Sequence, residues 1–523
     1  MMQGRGFMNF LVRNWVILSY IILLVISFAL FTFMQAVPAF ADPDSFYHVK
    51  SALLIPEQGF IKEFPWLQFT VLKDNYIDQH FLYHVFLIPF TQVMDPIQGA
   101  KLANIIITTG LVMLFYWFLR SFKIKYAFWY VIVLLITMPF IFRINLVKAP
   151  AFSIIFLIVG LYLILKHKTK SLFIFSFLYV WAYGGFILIL VFSGIYAAVS
   201  IMENWLKHSA RKFWHIVGHS RELRLFFSSL GGVLAGIIIN PYFPENLNFY
   251  WHQLIKIGII NYQSVIPVGN EWYPYKFIDL SANTAFVSIL MIITFYLFIV
   301  NFKKPNRKTI TLFVIFLFFF IFTLKSRRYV EYYVPFAVLF VALALNQQIP
   351  FFNLKKLWSK TVSFCLKRKV IAVILIVYFC VTLPVIIIKD VRHTYNDFQG
   401  GIRLDRFAEV SSWLEKNSQP GDIIFHSSWD EFPMLFYFND KNYYIIGLDP
   451  TFMYEYDQEL YKKMVNITLG DQKTGLYEDI KNEFQASYVL VENNHHGMMS
   501  NIKKDEGFKE VYSDKDATIY QVL

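Results

Sequence analysis

Charge is what this sequence has least of. Asp, Glu, Lys and Arg make up 16% of its 523 residues, where soluble domains carry about 25%. That is too little to clothe a water-facing surface of this size, and it excludes an ordinary soluble enzyme. The remaining charge is net +12. It would suit nucleic acid if gathered into one patch, but Lys and Arg fall in short loops between apolar runs, so nucleic acid is not an expected partner. Cysteine is nearly absent as well: Cys365 and Cys380 are the two. Both precede residue 389, so no disulfide staples the C-terminal region. Internal repeats and low-complexity tracts are missing, and the apolar runs are almost free of ionisable groups. A transporter built on inverted repeats with midplane charges would show both.

What is abundant is apolar. Hydrophobic residues make up 57% and aromatics 19%, with 57 Phe, many in runs such as Phe313 to Phe322. Runs of roughly 17–25 apolar residues, enough to cross a bilayer, recur from Trp15 to Ile388. They predict about eleven spans, near 15–37, 99–119, 126–142, 151–165, 171–186, 187–202, 225–240, 284–301, 308–324, 330–346 and 368–388. The first follows Arg5 and Arg13 and is long for a signal peptide, so it reads as a retained anchor. Residues 171–202 read as two spans about Tyr183-Gly184-Gly185, because a single crossing would put the basic 203–224 loop outside. Every second loop is basic, as at Arg120, Lys123 and Lys125 or at Lys303, Lys304, Arg307 and Lys308. This alternation predicts a cytoplasmic N-terminus and a multi-pass protein of the plasma membrane.

Three segments then lie outside: 42–98, 241–283 and the tail from 389. Within the membrane part, 1–388, only these loops are long. The tail, 389–523, regains charge and turn punctuation. Phe407–Leu414 predicts a helix, and Ile423–His426, Tyr443–Gly447 and Ala486–Glu492 predict strands. The expected architecture is a polytopic α-helical membrane protein with a small α/β extracytoplasmic domain.

The residues that could carry chemistry lie in these outer segments. Asp42-Pro43-Asp44-Ser45-Phe46-Tyr47-His48 begins where the first span leaves the membrane. Its acids and imidazole suit a divalent cation or a general base, or Asp44 caps a helix through Leu54. Asp78-Gln79-His80-Phe81-Leu82-Tyr83-His84 follows. His80 and His84 would share a helix face, a spacing used for metals, or sit as aromatics at headgroup level. Arg143 and Lys148 lie in an outer turn, against the orientation trend. Binding a lipid phosphate or snorkelling to headgroups would each explain them. The same holds for Lys325-Ser326-Arg327-Arg328-Tyr329, with Glu331 as a possible partner. In the tail, Trp429 and Asp430 follow a predicted strand, either as a recognition element or as core.

Taken together, the acid motif after the first span, the basic outer turns and the water-soluble tail resemble the GT-C superfamily of membrane glycosyltransferases. The nearest likeness is to the catalytic subunit of oligosaccharyltransferase. Asp42 to His48 is similar to its first acidic motif, and Trp429-Asp430 matches part of its Trp-Trp-Asp-Tyr-Gly signature. Arg143, Asn145 and Lys148 stand where that family carries a second acidic motif. In this respect the chain is similar to metal-independent relatives such as the protein O-mannosyltransferases and aminoarabinose transferases.

The resemblance implies transfer of a sugar from a polyprenyl-phosphate-linked donor to a protein, lipid or glycan acceptor. Asp44 or Asp42 would be catalytic, Arg143, Lys148, Arg327 and Arg328 would bind donor phosphate, and Trp429 and Asp430 would bind acceptor. A divalent cation, Mg²⁺ or Mn²⁺, would draw on Asp42, Asp44, His48, Asp78, His80 and His84. The alternative is a polytopic transporter or lipid flippase.

Overall fold

In a bilayer every backbone N–H and C=O must find a partner within its own segment, and a run of Phe, Leu and Ile meets that demand by forming helix. The computed structural model of the protein describes residues 2–207, 220–301, 304–348, 373 and 378–523. The basic residues Arg211, Lys212 and Lys303, part of the predicted span at 368–388 (368–372 and 374–377), and Cys365 lie outside the described residues.

Among the described residues, five helices are long and apolar enough to cross a membrane: Asn14–Gln35, Pro96–Ser121, Ile187–Leu206, Arg307–Lys325 and Arg327–Gln348. Two bent pairs bring the number to as many as seven, short of the eleven runs in the sequence. The difference lies in length and breaks. The run at 126–142 is split into Ala127–Leu135 and Met138–Asn145, bent by 72°, where Pro139 removes an N–H and crowds the preceding turn. The bend delivers Arg143 and Asn145 to the helix end. The run at 171–202 is two helices, Thr169–Ala182 and Ile187–Lys207, separated by the Tyr183–Phe186 segment. Gly184 in that break leaves room for the Gln79 side chain, whose Oε1 would lie 2.0 Å from a Cβ there.

The segment 42–98 is more ordered than a loop. It contains α1 (Asp44–Gln58) and α2 (Phe81–Val93), and α1 packs against α2 and against the tail helix Phe432–Phe438. Phe46 on α1 meets Phe40 edge to face at 5.0 Å and Tyr437 at 5.7 Å.

The tail is built on a five-stranded sheet in the order β4-β3-β5-β7-β6, with β3 Ile423–His426, β4 Tyr443–Tyr444, β5 Ala486–Glu492, β6 Phe508–Ser513 and β7 Ala517–Val522. Strands β4, β3 and β5 are parallel, and β7 and β6 add on antiparallel. A second small sheet ties this unit to the first span. β1 (Ala39–Phe40) pairs with β2 (Ile402–Arg403), and Gly401 permits the approach because a Cβ there would lie 2.4 Å from the Phe40 carbonyl oxygen. The exposed edge of β4 is covered by the first outer segment. Tyr444 N–H donates to Trp66 O at 2.8 Å, and Gln68 N–H donates to Tyr444 O at 3.0 Å. Covering an edge in this way removes a site for stray strand pairing. One continuous buried core joins helices and sheet.

Candidate active site

Asp42 and Asp44 flank Pro43 at the start of α1. Asp42 lies just before the helix, and the Asp44 N–H donates to its Oδ1 at 3.0 Å. Asp44 is a first-turn residue whose carboxylate makes no capping bond, so its side chain is free for another task. Lys148 reaches from the start of the Pro150–Leu165 helix and places Nζ 3.1 Å from Asp42 and 2.7 Å from Asp44. Burial raises the Asp44 carboxyl to about 6; Asp42 adds to the rise and Lys148 opposes it. For Lys148, burial works against the charge, but Asp42, Asp44 and Glu271 outweigh it and hold its ammonium above the ordinary range.

Behind Lys148 lies a second layer of ion pairs. Arg143 Nε and Nη2 each lie 2.9 Å from Glu331 Oε2, and Nη1 lies 2.5 Å from Glu271. Glu331, adjacent in sequence to the 325–329 cations, therefore pairs with Arg143. Arg328 is held loosely, 3.4 Å from Glu271, with its guanidinium 4.3 Å from the centroid of the Trp272 ring. Burial raises the Glu271 carboxyl, yet Arg143, Arg328 and Lys148 together hold it well below the usual range. Arg327 turns away: its Nε donates to Pro274 O at 3.2 Å, and it does not line the cavity described below. This corner holds four carboxylates, Asp42, Asp44, Glu271 and Glu331, against three cations, Arg143, Lys148 and Arg328.

The histidines are arranged otherwise than a metal centre needs. His84 Nδ1 lies 2.8 Å from Asp78 Oδ2, and His84 Nε2 lies 2.7 Å from His48 Nδ1. Both nitrogens of His84 and one of His48 are thereby spent within the protein. His80 begins α2 and lays its ring edge to face on His48 at 5.2 Å. Among the described residues, none of Asp42, Asp44, His48, Asp78, His80 and His84 enters a group of three whose ligand atoms lie within 4.8 Å of one another. Between Asp42 and Asp44, moreover, the position a cation would take is held by the Lys148 ammonium. The expected donor set does not fit a divalent ion.

These elements enclose a cavity of about 1130 Å³. Its polar end carries Asp42, Asp44, His48, Lys148 and Arg328, and its far wall carries Leu188, Val191, Leu234, Ile237, Phe318 and Phe322. That wall comes from the helices Ile187–Lys207, Arg221–Ile238 and Arg307–Lys325, so the cavity runs from a charged corner into apolar surface. The tail closes it with Trp429 and Asp430, beyond the end of β3, and Asp449, after β4. A short helical turn over Trp429–Glu431, capped reciprocally by Ser428 and Glu431, fixes the first two. Parallel strands commonly present ligand-facing loops at their carboxyl ends. Glu271 and Asp449 carried no motif in the sequence. The one available signal for Glu271 was an acid beside Trp272 in a long outer segment.

A membrane helix array, a charged corner after the first span and a sheet-based tail over the cavity mouth together define the GT-C fold of membrane glycosyltransferases, and this chain has that fold. It aligns with the archaeal oligosaccharyltransferase AglB of Archaeoglobus fulgidus, in complex with an inhibitory peptide and a dolichol-phosphate, at a TM-score of 0.58 and 12% identity over 96% of this chain and 74% of that one. ArnT of Cupriavidus metallidurans bound to undecaprenyl phosphate aligns at 0.56 and 11% identity over 97% and 98%. The mycobacterial arabinofuranosyltransferase AftD aligns at 0.52 and 10% identity over 98% of this chain and 40% of that one. No protein-family model and no curated protein matches the sequence; at these identities the likeness is one of fold.

Proposed function

We propose that the protein is a membrane glycosyltransferase that moves a sugar from a polyprenyl-phosphate-linked donor to a protein, lipid or glycan acceptor at the outer face of the plasma membrane. In this reading residues 1–388 form the membrane part, 389–523 the extracytoplasmic part, and the N-terminus is cytoplasmic. The observation that carries it is the cavity, which joins an apolar wall suited to an isoprenoid to a corner where Asp44, Lys148 and Arg328 stand together. The donor lies with its chain along that wall and its phosphate against Arg328 and Lys148. Arg328 is the freest of the cations, since its ion pair with Glu271 is the longest in the corner. Asp44 takes the proton of the acceptor nucleophile as that atom bonds to the sugar's anomeric carbon. The anomeric carbon–oxygen bond breaks, and the phosphate leaves with the electron pair, its charge stabilised by Arg328 and Lys148. Trp429 and Asp430 wall the side from which the acceptor enters. No step passes through a metal, because Lys148 stands between the acids.

The test is incubation of purified protein in liposomes with a radiolabelled polyprenyl-phosphate-linked sugar and a cell-envelope extract as acceptor. Transfer of label is the expected result. Label moved across the bilayer on intact donor would instead assign a flippase, and neither outcome would leave a scaffold.

A further inference from the structure

The mechanism above leaves one buried constellation unused, the chain Asp78–His84–His48. Its members are almost wholly buried, at 5%, 0% and 3% exposure, and they come from α1, α2 and the segment between them. Asp78 accepts twice: from the His80 N–H at Oδ1, 3.0 Å, and from His84 Nδ1 at Oδ2, 2.8 Å. A carboxyl is a stronger acid than an imidazole, so the proton between Asp78 and His84 sits on His84 Nδ1. A neutral imidazole carries one N–H and one bare nitrogen. In a neutral His84 Nε2 is bare, and the 2.7 Å bond it makes is donated by His48 Nδ1–H. His48 is neutral too: burial, with His84, His80 and Lys148 adding to it, holds its imidazole well below the ordinary range. The remaining nitrogen, His48 Nε2, then has a lone pair and no proton. It has no hydrogen-bond partner among the described residues and is not among the fully enclosed unpaired atoms. His48 lines the cavity one helical turn after Asp44.

We infer that Asp78 and His84 fix the tautomer of His48 so that its Nε2 is a permanent hydrogen-bond acceptor for the acceptor substrate, and that this substrate attacks through a proton-bearing neutral group, a hydroxyl or an amide, rather than through a phosphate or carboxylate oxygen. The inference rests on the glycosyl-transfer reading. The rest of the acceptor side agrees, since Asp44, Asp430 and Asp449 also present acceptor oxygens to the cavity. In this reading Lys148 and Arg328 are engaged by the donor phosphate, and the three carboxylates and the nitrogen lone pair that remain would repel an anionic nucleophile. A hydroxyl or amide gives one hydrogen to the ensemble and loses it to Asp44. His48 touches the substrate, whereas Asp78 and His84 are positioning residues that act only through it.

Asp78→Asn tests this without altering a cavity-lining residue. An amide can donate to His84 Nδ1, which moves the His84 proton to Nε2 and turns His48 around to present an Nε2–H. The experiment is solid-state nitrogen NMR on the full chain in lipid, labelled at histidine, with His48 assigned from the His48→Gln variant. The expected wild-type spectrum shows His48 protonated at Nδ1 and bare at Nε2, inverted in Asp78→Asn. In the transfer assay Asp78→Asn should fall by about a hundredfold, while undecaprenyl phosphate binding stays within about twofold of wild type. Asp78→Glu, which keeps the carboxylate, should recover part of the loss. A wild-type His48 protonated at Nε2, or an Asp78→Asn protein with inverted tautomers and unchanged transfer, overturns the inference. Absence of turnover in every variant would strike the glycosyl-transfer reading, and the tautomer would still be decided by the spectrum.

Discussion

Two carboxylate-rich clusters in this molecule look alike on paper and differ in what their oxygens do. One is the corner at Asp42, Asp44 and Lys148. The other lies at the carboxyl ends of β3 and β5, where Glu431, Glu492 and His495 bring ligand atoms within 4.8 Å of one another. By proximity the second is the better metal candidate. Several of its oxygens, however, are already engaged. Glu431 accepts Ser427 Oγ at 2.6 Å and the Ser428 N–H at 3.0 Å, and Glu492 is paired with Arg406 and accepts from Asn494. Asp44, by contrast, has one lysine partner and opens onto the cavity. A structural cluster spends its hydrogen-bonding capacity on the fold, whereas a working cluster keeps some facing an empty space.

The sharpest way to break the contrast is to neutralise one acid from each cluster. Asp44→Asn should lower transfer by about 10²–10⁴-fold, the usual worth of a positioned base, with thermal unfolding little changed because the Asp44 side chain makes no capping bond and Lys148 keeps Asp42 as a partner. Retained turnover would leave Asp44 as a spectator. Glu431→Ala should do the reverse. It strips the partners of a buried Ser427 hydroxyl and a helical turn, a loss of about 1–3 kcal/mol, which would appear as a lower melting temperature with donor binding intact. If Glu431→Ala abolished turnover without lowering stability, the second cluster would be catalytic and the contrast would fail.

How much of this could be read from the chain follows from sequence distance. Asp42, Asp44, Arg143, Lys148 and Trp429 stood out because acids after a span, and cations outside one, contradict local expectation. Their partners gave no such signal. Arg143 meets Glu271 across 128 positions and Glu331 across 188, and no periodicity reports contacts of that range. The histidines show a related limit. The i, i+4 spacing of His80 and His84 suggested a shared face toward a metal, but α2 starts at Phe81, leaving His80 at the cap while His84 turns inward to Asp78. In the tail, the parallel strands β3 and β5 were legible as β-branched runs between turns. The β6–β7 hairpin was not: β6 reads Phe508-Lys509-Glu510-Val511, half polar because it lies at the sheet edge.

Lys148 sharpens the comparison from the cation side. Because burial and Asp42 raise Asp44 to about 6 while Lys148 lowers it, transfer that needs the Asp44 carboxylate should fall as pH drops through about 6. Lys148→Ala removes the lowering influence, so the acidic limb of the rate profile should move to higher pH, and donor binding should weaken by about 1.5–3 kcal/mol. A profile limb that stays in place would detach Lys148 from Asp44. The same pairing predicts that chelator leaves wild-type turnover unchanged, and that Mn²⁺ added to the chelated protein shows no tightly bound electron-paramagnetic signal. Loss of activity with chelator, restored by Mn²⁺, would mean that a metal displaces Lys148.

The smallest expected effect belongs to Arg327, set against its neighbour. The two arginines open a single 3₁₀ turn, Arg327–Tyr329, in which successive side chains point about 120° apart. Arg328 is thus turned onto Trp272 and the cavity, while Arg327 faces outward and donates to Pro274 O. Sequence alone gives both the same role, since both are cations in the same outer turn. The geometry separates them. Arg328→Ala removes a cation from the cavity corner and leaves the Glu271 carboxylate with one counter-ion fewer, so undecaprenyl phosphate binding should weaken about tenfold or more. Arg327→Ala removes one hydrogen bond at an exposed carbonyl and should stay within about twofold. Equal losses in the two variants, measured by the same lipid-binding titration at the same salt, would show that the turn binds phosphate as a charged patch, with no dependence on which way each side chain points.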